Sequence, residues 1–386
     1  MTEQHTLAIG LIGSGYMGRA HAIAFRSASA VFDLPIQPRL SMLADVDGPT
    51  AQRAAEQLGF ERSTGDWHQL VGDPDIDLVD ITTPNRLHVE IAMAAIGAGK
   101  HLYCEKPLAP TAAEAGRLMR AAEAAGVKTM VGFSYLKNPI TVLAKEIVDS
   151  GEIGEVFSFR GNHFEDYMLD PNTLVSAWRL DARSGDGVVA DLGSHVVSLA
   201  RYLIGPIESV SADRSTVFGE RRDRAGNQIK IDVADEVYSL LRFENGARGT
   251  LAASWIATGR KMGLGFEVRG TKGALVVDFE RLNELELYTA DQSIGREGFT
   301  RVLAGPAHRD FARFVPAPGH QLGFNDLKAI EVRDLIAGIA AVDGAPWPDF
   351  REAWEVQRVI DALIESDRSR AWASVAEIDA DVEAGS

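Results

Sequence analysis

The chain has 386 residues, more than one ordinary hydrophobic core encloses, and with domains of about 100–200 residues the expectation is two. It is 46% hydrophobic and 24% charged, and no apolar run approaches the ~18 residues of a membrane helix, so no spanning segment is expected. With 39 basic against 55 acidic residues the net charge is −16, and without a long basic block the electrostatic footprint of a nucleic-acid binder is missing.

The single cysteine, Cys104, cannot close an internal disulfide. Met1 leads straight into Leu7-Ala8-Ile9-Gly10-Leu11-Ile12 without the basic segment and long apolar core of a leader, so the expected compartment is the cytoplasm. No stretch has the ligand spacing of a structural zinc site, and no metal is expected.

From Leu7 to about Tyr135, short apolar runs alternate with alanine-rich stretches. Strands are expected at Leu7–Ile12, Leu40–Ala44, Leu78–Thr82, His101–Cys104 and Thr129–Phe133. Helices are expected at about Tyr16–Ser27, Thr50–Leu58, Leu87–Ala98 and Thr111–Ala125, with a loop over Val31–Pro38. Strands that are apolar almost throughout suit a parallel sheet covered on both faces.

After a helix at Pro139–Ser150 the pattern changes to longer strands joined by tight turns, so a second domain is expected over residues 136–386. A strand at Val156–Asn162 and a helix at Val188–Ile204 open it. Glu236–Phe243 and Ala247–Ile256 flank Glu244-Asn245-Gly246, where Asn-Gly can supply the positive φ angles of a two-residue hairpin turn. Phe266–Arg269 and Ala274–Phe279 make a second hairpin candidate, and helices are expected at Asp326–Ala340 and Arg351–Ser366.

Gly13-Ser14-Gly15-Tyr16-Met17-Gly18 follows the first strand and opens the first helix, the context that a dinucleotide-binding loop needs. Gly13 permits the tight turn, Gly15 lets backbone approach a pyrophosphate, and Gly18 allows close helix packing, so residues 1–135 read as a Rossmann dinucleotide-binding domain. At the end of the second strand Asp45 can accept from ribose hydroxyls and repel a 2′-phosphate, which favours NAD over NADP; a helix N-cap fits Asp47 better.

Thr82-Thr83-Pro84-Asn85 ends the next strand and His88 follows one turn into a helix, at the edge where such sheets bind ligands. Two readings stand for each: Asn85 is a cofactor contact or a helix cap, and His88 is a site residue or lies on an exposed helix face. The strand ending Tyr103-Cys104-Glu105-Lys106-Pro107 presents a lysine at a strand end, with Cys104 as a small buried hydrophobe. Asp191 and His195 are four apart, a spacing that on a helix puts them on one face; they are an acid–base pair or an ordinary i,i+4 contact near a helix start. His163, Glu165, Asp166 and Tyr167 form a polar, aromatic loop suited to sugar hydroxyls or to solvent. Lys137 and Arg179 could meet an anionic substituent, and His320 and Asn325 are further candidates, Asn325 also suiting an N-cap.

These segments, in this order, resemble the Gfo/Idh/MocA oxidoreductase family, and the resemblance covers nearly the whole chain. It rests on Gly13–Gly18, Asp45, the Thr82–Asn85 turn with His88, Glu105-Lys106-Pro107, and Asp191 with His195. Within the family the likeness is to its levoglucosan-dehydrogenase-like and glycoside 3-dehydrogenase-like members, through Asp166, Trp178-Arg179 and the stretch Pro316–Asp326. Where such relatives carry Asn-Tyr-Arg-Arg, this chain has Ser134-Tyr135-Leu136-Lys137, and Ser198 stands where many have an acidic residue.

The resemblance implies that the second domain is α+β with an open, mostly antiparallel sheet. It implies that Lys106 and His195 act on a substrate hydroxyl, that Asp191 positions it, and that Glu105 and His88 lie beside the cofactor. The expected cofactor set is Gly13, Gly15, Tyr16, Met17, Gly18, Asp45, Thr82, Thr83, Pro84, Asn85, His88, Glu105 and Lys106. The expected substrate set is Tyr135, Lys137, His163, Asp166, Arg179 and His320. The expected activity is hydride transfer to NAD from a secondary hydroxyl of a sugar, glycoside or cyclitol. Its alternatives are a redox-neutral NAD-dependent glycosidase working by transient C3 oxidation, including one for an anionic or sulfonated sugar, and a non-catalytic NAD-responsive binding protein. Leu251, Ala253 and Trp255 alternate with Ala252, Ser254 and Ile256, so both faces of that strand need cover and a homo-dimer or homo-tetramer is expected.

Overall fold

The structure is a computed structural model and describes residues 6–173, 177–223, 226–342 and 344–379. It forms two compact units. The first takes the described residues of Met1–Ala109, Ala113–Ser134 and Gly323–Trp354, and the second those of Pro110–Ala112, Tyr135–Leu322 and Glu355–Ser386. The break expected after residue 135 falls within one residue of the crossing at Ser134, but the second domain does not run unbroken to the C-terminus, because residues 323–354 return to the first unit.

In the first unit the elements are β1 (Thr6–Ile12), α1 (Tyr16–Val31), β2 (Gln37–Ala44), α2 (Gly48–Leu58), β3 (Arg62–Thr64), α3 (Trp67–Val71), β4 (Leu78–Ile81), α4 (His88–Gly97), β5 (His101–Cys104), α5 (Ala112–Ala125) and β6 (Thr129–Val131). All six strands pair in parallel in the order β3-β2-β1-β4-β5-β6, that of a doubly wound dinucleotide-binding sheet. In β1 every residue from Leu7 to Ile12 is buried, as a strand covered on both faces requires. A Cβ on Gly10 would lie 2.6 Å from Leu70, so glycine lets α3 settle on β1. Neither α3 nor β3 is legible in the sequence, since β3 is a three-residue polar edge and α3 barely more than one turn. Asp47 caps α2, its Oδ1 accepting from Thr50 N–H at 2.7 Å, and with Pro49 in the first turn the helix begins two residues before the expected start.

The second unit opens with α6 (Pro139–Asp149), capped by Asn138. Its nine-stranded sheet contains β7 (Val156–Phe164), β8 (Ile207–Ser215), β11 (Glu236–Phe243), β12 (Arg248–Ser254), β13 (Gly263–Gly270), β14 (Gly273–Asp278), β15 (Glu284–Thr289), β16 (Thr300–Leu303) and β17 (Ala373–Ser374); β9 (Glu220–Arg222) and β10 (Gln228–Lys230) form a separate hairpin. The order is β16-β15-β14-β13-β7-β12-β11-β8-β17, antiparallel except for the central β7–β12 pair. The β11–β12 turn has three residues rather than two. Gly246 alone adopts positive φ there, at 92°, and Phe243 N–H bonds to Ala247 C=O.

The helix expected over Val188–Ile204 is two pieces, a π-helical turn at Val189–Gly193 running into α7 (Ser194–Ile204). A short α8 (Phe311–Phe314) precedes α9 (Phe324–Ile339), which packs against α1 within the first unit, and α10 (Phe350–Ser369) follows. Asn325 does not cap α9. Gly323 is the N-cap, and its N–H donates to Asp326 Oδ2 at 2.8 Å.

Candidate active site

The glycine loop joins β1 to α1. Gly13 sits at φ 97°, with its N–H bonded to Ala44 C=O, and a Cβ on Gly18 would fall 2.0 Å from Gly13 O, so only glycine lets α1 start this close to the strand end. A Cβ on Gly15 would meet nothing within 4 Å, and Gly15 caps α1 with no side-chain hydrogen bond to the first-turn N–H groups. An open approach to uncapped helix N–H groups fits a pyrophosphate. Tyr16 is exposed and stacks on Phe324 at 6.1 Å; Met17 is half-buried. Asp45 Oδ2 accepts from both the N–H and the hydroxyl of Ser14, and Oδ1 from Val46 N–H at 2.7 Å. Oδ1, with one donor against two lone pairs, keeps room for a ribose hydroxyl.

At the end of β4, Thr82 Oγ1 donates within reach of the carbonyls of Ile12 (3.1 Å) and Gly13 (2.7 Å), tying the glycine loop to the neighbouring strand. Thr83 and Pro84 lead into a single 3-10 turn at Asn85–Leu87, so Asn85 does not cap α4, which starts at His88. His88 is fully buried rather than on an exposed face. Its Nδ1 lies 2.9 Å from Pro107 O and its Nε2 2.9 Å from Thr83 O, so it joins the ends of β4 and β5, and burial pushes its pKa below the ordinary imidazole value.

Behind the β5 end lies a buried polar network that the sequence reading missed. Glu105 Oε1 meets His21 Nε2 at 2.9 Å and Lys328 Nζ at 2.7 Å, while Oε2 accepts from Lys106 N–H at 3.1 Å. His21 Nδ1 pairs with Asp80 Oδ1 at 2.9 Å; Lys328 also meets Glu331 Oε2 at 3.0 Å, to which Tyr103 donates at 2.5 Å. Burial alone would raise the Glu105 pKa, but Lys328 and His21 override it and hold the carboxyl well below the usual range. Burial likewise opposes the His21 charge, and Asp80 outweighs it, so that pKa is raised. Two signals were available: Asp80 interrupts the apolar strand Leu78–Ile81, and Lys328 and Glu331 lie one turn apart on the buried face of a helix.

In the second unit, Tyr135 stands at the centre of a cluster. Its ring lies 4.8 Å from that of His195, 5.4 Å from Phe279 and 6.5 Å from His163, all near edge-to-face, and its hydroxyl is 3.8 Å from Met262 Sδ. Asp191 Oδ2 accepts from Tyr167 OH at 2.8 Å and from Arg179 Nη1. The Asp191 charge raises the Arg179 pKa; burial and then Asp191 push the Tyr167 phenol well up, so it remains a donor. The segment carrying Asp191 and His195 is not one regular helix, since Asp191 lies in the π turn and His195 in α7, and the Tyr167 and Arg179 contacts to Asp191 are not legible from the pair.

His163 is buried, with Nδ1 3.2 Å from Leu192 O and Nε2 3.1 Å from Glu165 Oε1, both protein acceptors. Lys137 is buried in a 3-10 turn at Ser134–Lys137. Asp166 is engaged by Lys261 Nζ at 2.7 Å and Gly259 N–H at 3.1 Å, and His320 is exposed in an irregular segment. Ser198 Oγ donates to His195 O at 2.9 Å, one turn back in α7. The Trp178 side chain lies outside the described residues, among which no group of three or more His, Cys, Asp or Glu is placed to hold a metal.

Residues 7–133 match the oxidoreductase family with an NAD-binding Rossmann fold, and residues 141–276 match the GFO/IDH/MocA C-terminal domain. The chain is 39% identical to levoglucosan dehydrogenase of Pseudarthrobacter phenanthrenivorans, over 97% of this chain and 99% of that one. It is 29% identical to myo-inositol 2-dehydrogenase of Thermotoga maritima, over 70% and 75%. Among solved structures, levoglucosan dehydrogenase in complex with NADH and levoglucosan superposes with a TM-score of 0.93 at 39% identity, covering 96% of this chain and 99% of that one. An NAD binding oxidoreductase from Klebsiella pneumoniae does so at 0.91 and 44%, with the same coverage. A six-stranded parallel sheet with its glycine loop, an open mixed sheet carrying the Asp191–His195 turn, and these full-length likenesses agree: the chain belongs to the Gfo/Idh/MocA oxidoreductase family, with an NAD-binding Rossmann domain at its N-terminal end.

Proposed function

We propose that the protein is an NAD-dependent dehydrogenase that oxidises a secondary hydroxyl of a sugar, glycoside or cyclitol. The observation that carries this reading is the second-unit cluster, in which Asp191 is held by Tyr167 and Arg179 while His195 packs beside Tyr135, within a chain 39% identical over 97% of its length to a sugar dehydrogenase. Such a cluster combines a carboxylate and an imidazole for hydroxyl chemistry with aromatic faces for a sugar ring.

Bound NAD supplies the hydride acceptor. The chain's own residues do the rest. As hydride leaves a carbinol carbon its oxygen gains alkoxide character, so His195 takes the hydroxyl proton and the Lys106 ammonium stabilises the oxygen's negative charge. Asp191 orients the substrate hydroxyl or the imidazole, its own carboxylate fixed by Arg179 and Tyr167. Gly13 to Gly18 and Asp45 hold the dinucleotide, with Thr82, Thr83, Pro84 and Asn85 at the adjoining strand end. Tyr135, Lys137, Asp166 and His320 remain candidate contacts for the substrate. A cytoplasmic setting suits a chain whose one cysteine, Cys104, is a buried free thiol.

The test is a panel of anhydrosugars, pyranoses, cyclitols and aryl glycosides with NAD, following NADH and released aglycone together. NADH formation with at least one polyol is expected. Aglycone release without NADH, or no turnover across the panel, would overturn the reading.

A further inference from the structure

Asp191 lies within the π turn at Val189–Gly193, which runs into the helix α7 that carries His195, and a π turn interrupts the regular backbone ladder inside a helix. Buried carbonyls at such a break are open to donors from outside the helix. The residues around it are buried, Leu192 at 5% exposure, and the Leu192 carbonyl, which accepts from the Ser194 N–H, also faces His163 Nδ1 at 3.2 Å.

The sheet is built to bring that donor close. Phe159, Gly161 and His163 alternate along the inward face of β7, and a Cβ on Gly161 would lie 2.5 Å from Val196 of α7. Glycine therefore lets the helix sit low on the strand, which puts the π turn within reach of the next inward residue. On its other side the His163 ring is anchored by Glu165 Oε1 at 3.1 Å, and Glu165 is itself fixed at the strand end by Glu165 N–H to Ser254 C=O (2.8 Å) and Ala257 N–H to Glu165 C=O (2.8 Å). With an acceptor facing each nitrogen, the ring can present an N–H to the Leu192 carbonyl and bridges the sheet edge to the turn.

We propose that His163, anchored by Glu165, is a positioning residue that holds the π turn through the Leu192 carbonyl and so fixes the places of Asp191, within that turn, and His195, just after it. It departs from the expected role of His163 as a substrate contact. Its kinetic consequence rests on the dehydrogenase reading; its structural consequence does not.

The experiment uses the full-length protein. His163→Leu removes the donor, whereas His163→Asn keeps a side-chain N–H near the position of Nδ1. Amide hydrogen exchange across residues 189–195 is expected to accelerate at least about tenfold in His163→Leu and to return most of the way in His163→Asn. With a polyol substrate from the panel, kcat should fall about 30-fold or more in His163→Leu with KM within about threefold, and His163→Asn should recover about tenfold of that loss. Parental exchange protection in His163→Leu overturns the proposal whatever the activity, as does equal loss in both variants. If His163→Leu does not fold, Glu165→Ala decides: Glu165 is partly exposed, and faster exchange across 189–195 is expected there, whereas unchanged exchange overturns the proposal. A parent protein inactive on every polyol would refute the dehydrogenase reading and leave the exchange result to judge the positioning role alone.

Discussion

Asp45 and Ser14 close the cofactor loop from opposite ends: the Asp45 carboxylate, at the end of β2, accepts the Ser14 N–H at 2.8 Å and the Ser14 hydroxyl as well. The carboxylate that would receive ribose hydroxyls is thus held in place by the loop that would receive the pyrophosphate. NAD should be preferred over NADP in kcat/KM, because a fixed negative charge repels a 2′-phosphate. Asp45→Ser should narrow the preference about tenfold or more, mostly through NAD affinity, since loop order is lost with the charge. Steady-state kinetics with both cofactors check this; equal or better efficiency of the parent with NADP would refute it.

Glu105 makes a prediction about acid stability. Its folded pKa lies below the unfolded value of about 4.3, so between the two only the unfolded chain binds this proton, and stability falls as pH falls. The contribution is complete above about pH 5 and is lost progressively on acidification toward the depressed folded value. Glu105→Gln, which keeps the volume, should remove up to about one proton from the pH slope of unfolding free energy between about pH 4.5 and 3. Urea melts at a series of pH values measure that slope, and parallel slopes for parent and variant would contradict the assignment.

The outer face of the second unit's sheet carries Tyr238 and Leu240, each 52% exposed, while Leu251, Ala253 and Trp255 are fully buried on the inner face. Exposed aromatic and aliphatic side chains on one sheet face favour a second copy of the same chain as cover. Light scattering at low micromolar concentration should find a dimer or tetramer, and Leu240→Lys with Tyr238→Glu should shift it toward monomer. A parent species of single-chain mass would contradict the expectation.

The parallel sheet and its glycine loop were legible because each strand is buried on both faces and therefore reads as an unbroken apolar run, as in Leu7–Ile12. Short polar elements such as Arg62–Thr64 carry no such signal. Within the site, Glu105, Asp191 and His195 were found as residue types in a pattern, but their partners were not: Lys328 is 223 positions from Glu105, and Arg179 reaches Asp191 across a turn of irregular pitch. The two readings of His88, site residue or exposed helix face, stay open in the sequence because one turn of helix does not reveal that both ring nitrogens meet backbone carbonyls from strand ends. Likewise the π turn that carries Asp191 just before His195 is not legible, because it leaves no mark in hydrophobic periodicity.

The central claim is that Lys106 and His195 carry the chemical step, and the most direct measurement compares Lys106→Ala and His195→Ala with the parent in NAD affinity and in turnover of a polyol substrate. Both variants should fold, bind NAD within about threefold of the parent, and lose about a hundredfold or more in kcat, as follows when charge stabilisation or proton transfer is removed from the transition state. Folded variants that bind NAD and turn over at near the parental rate would contradict it.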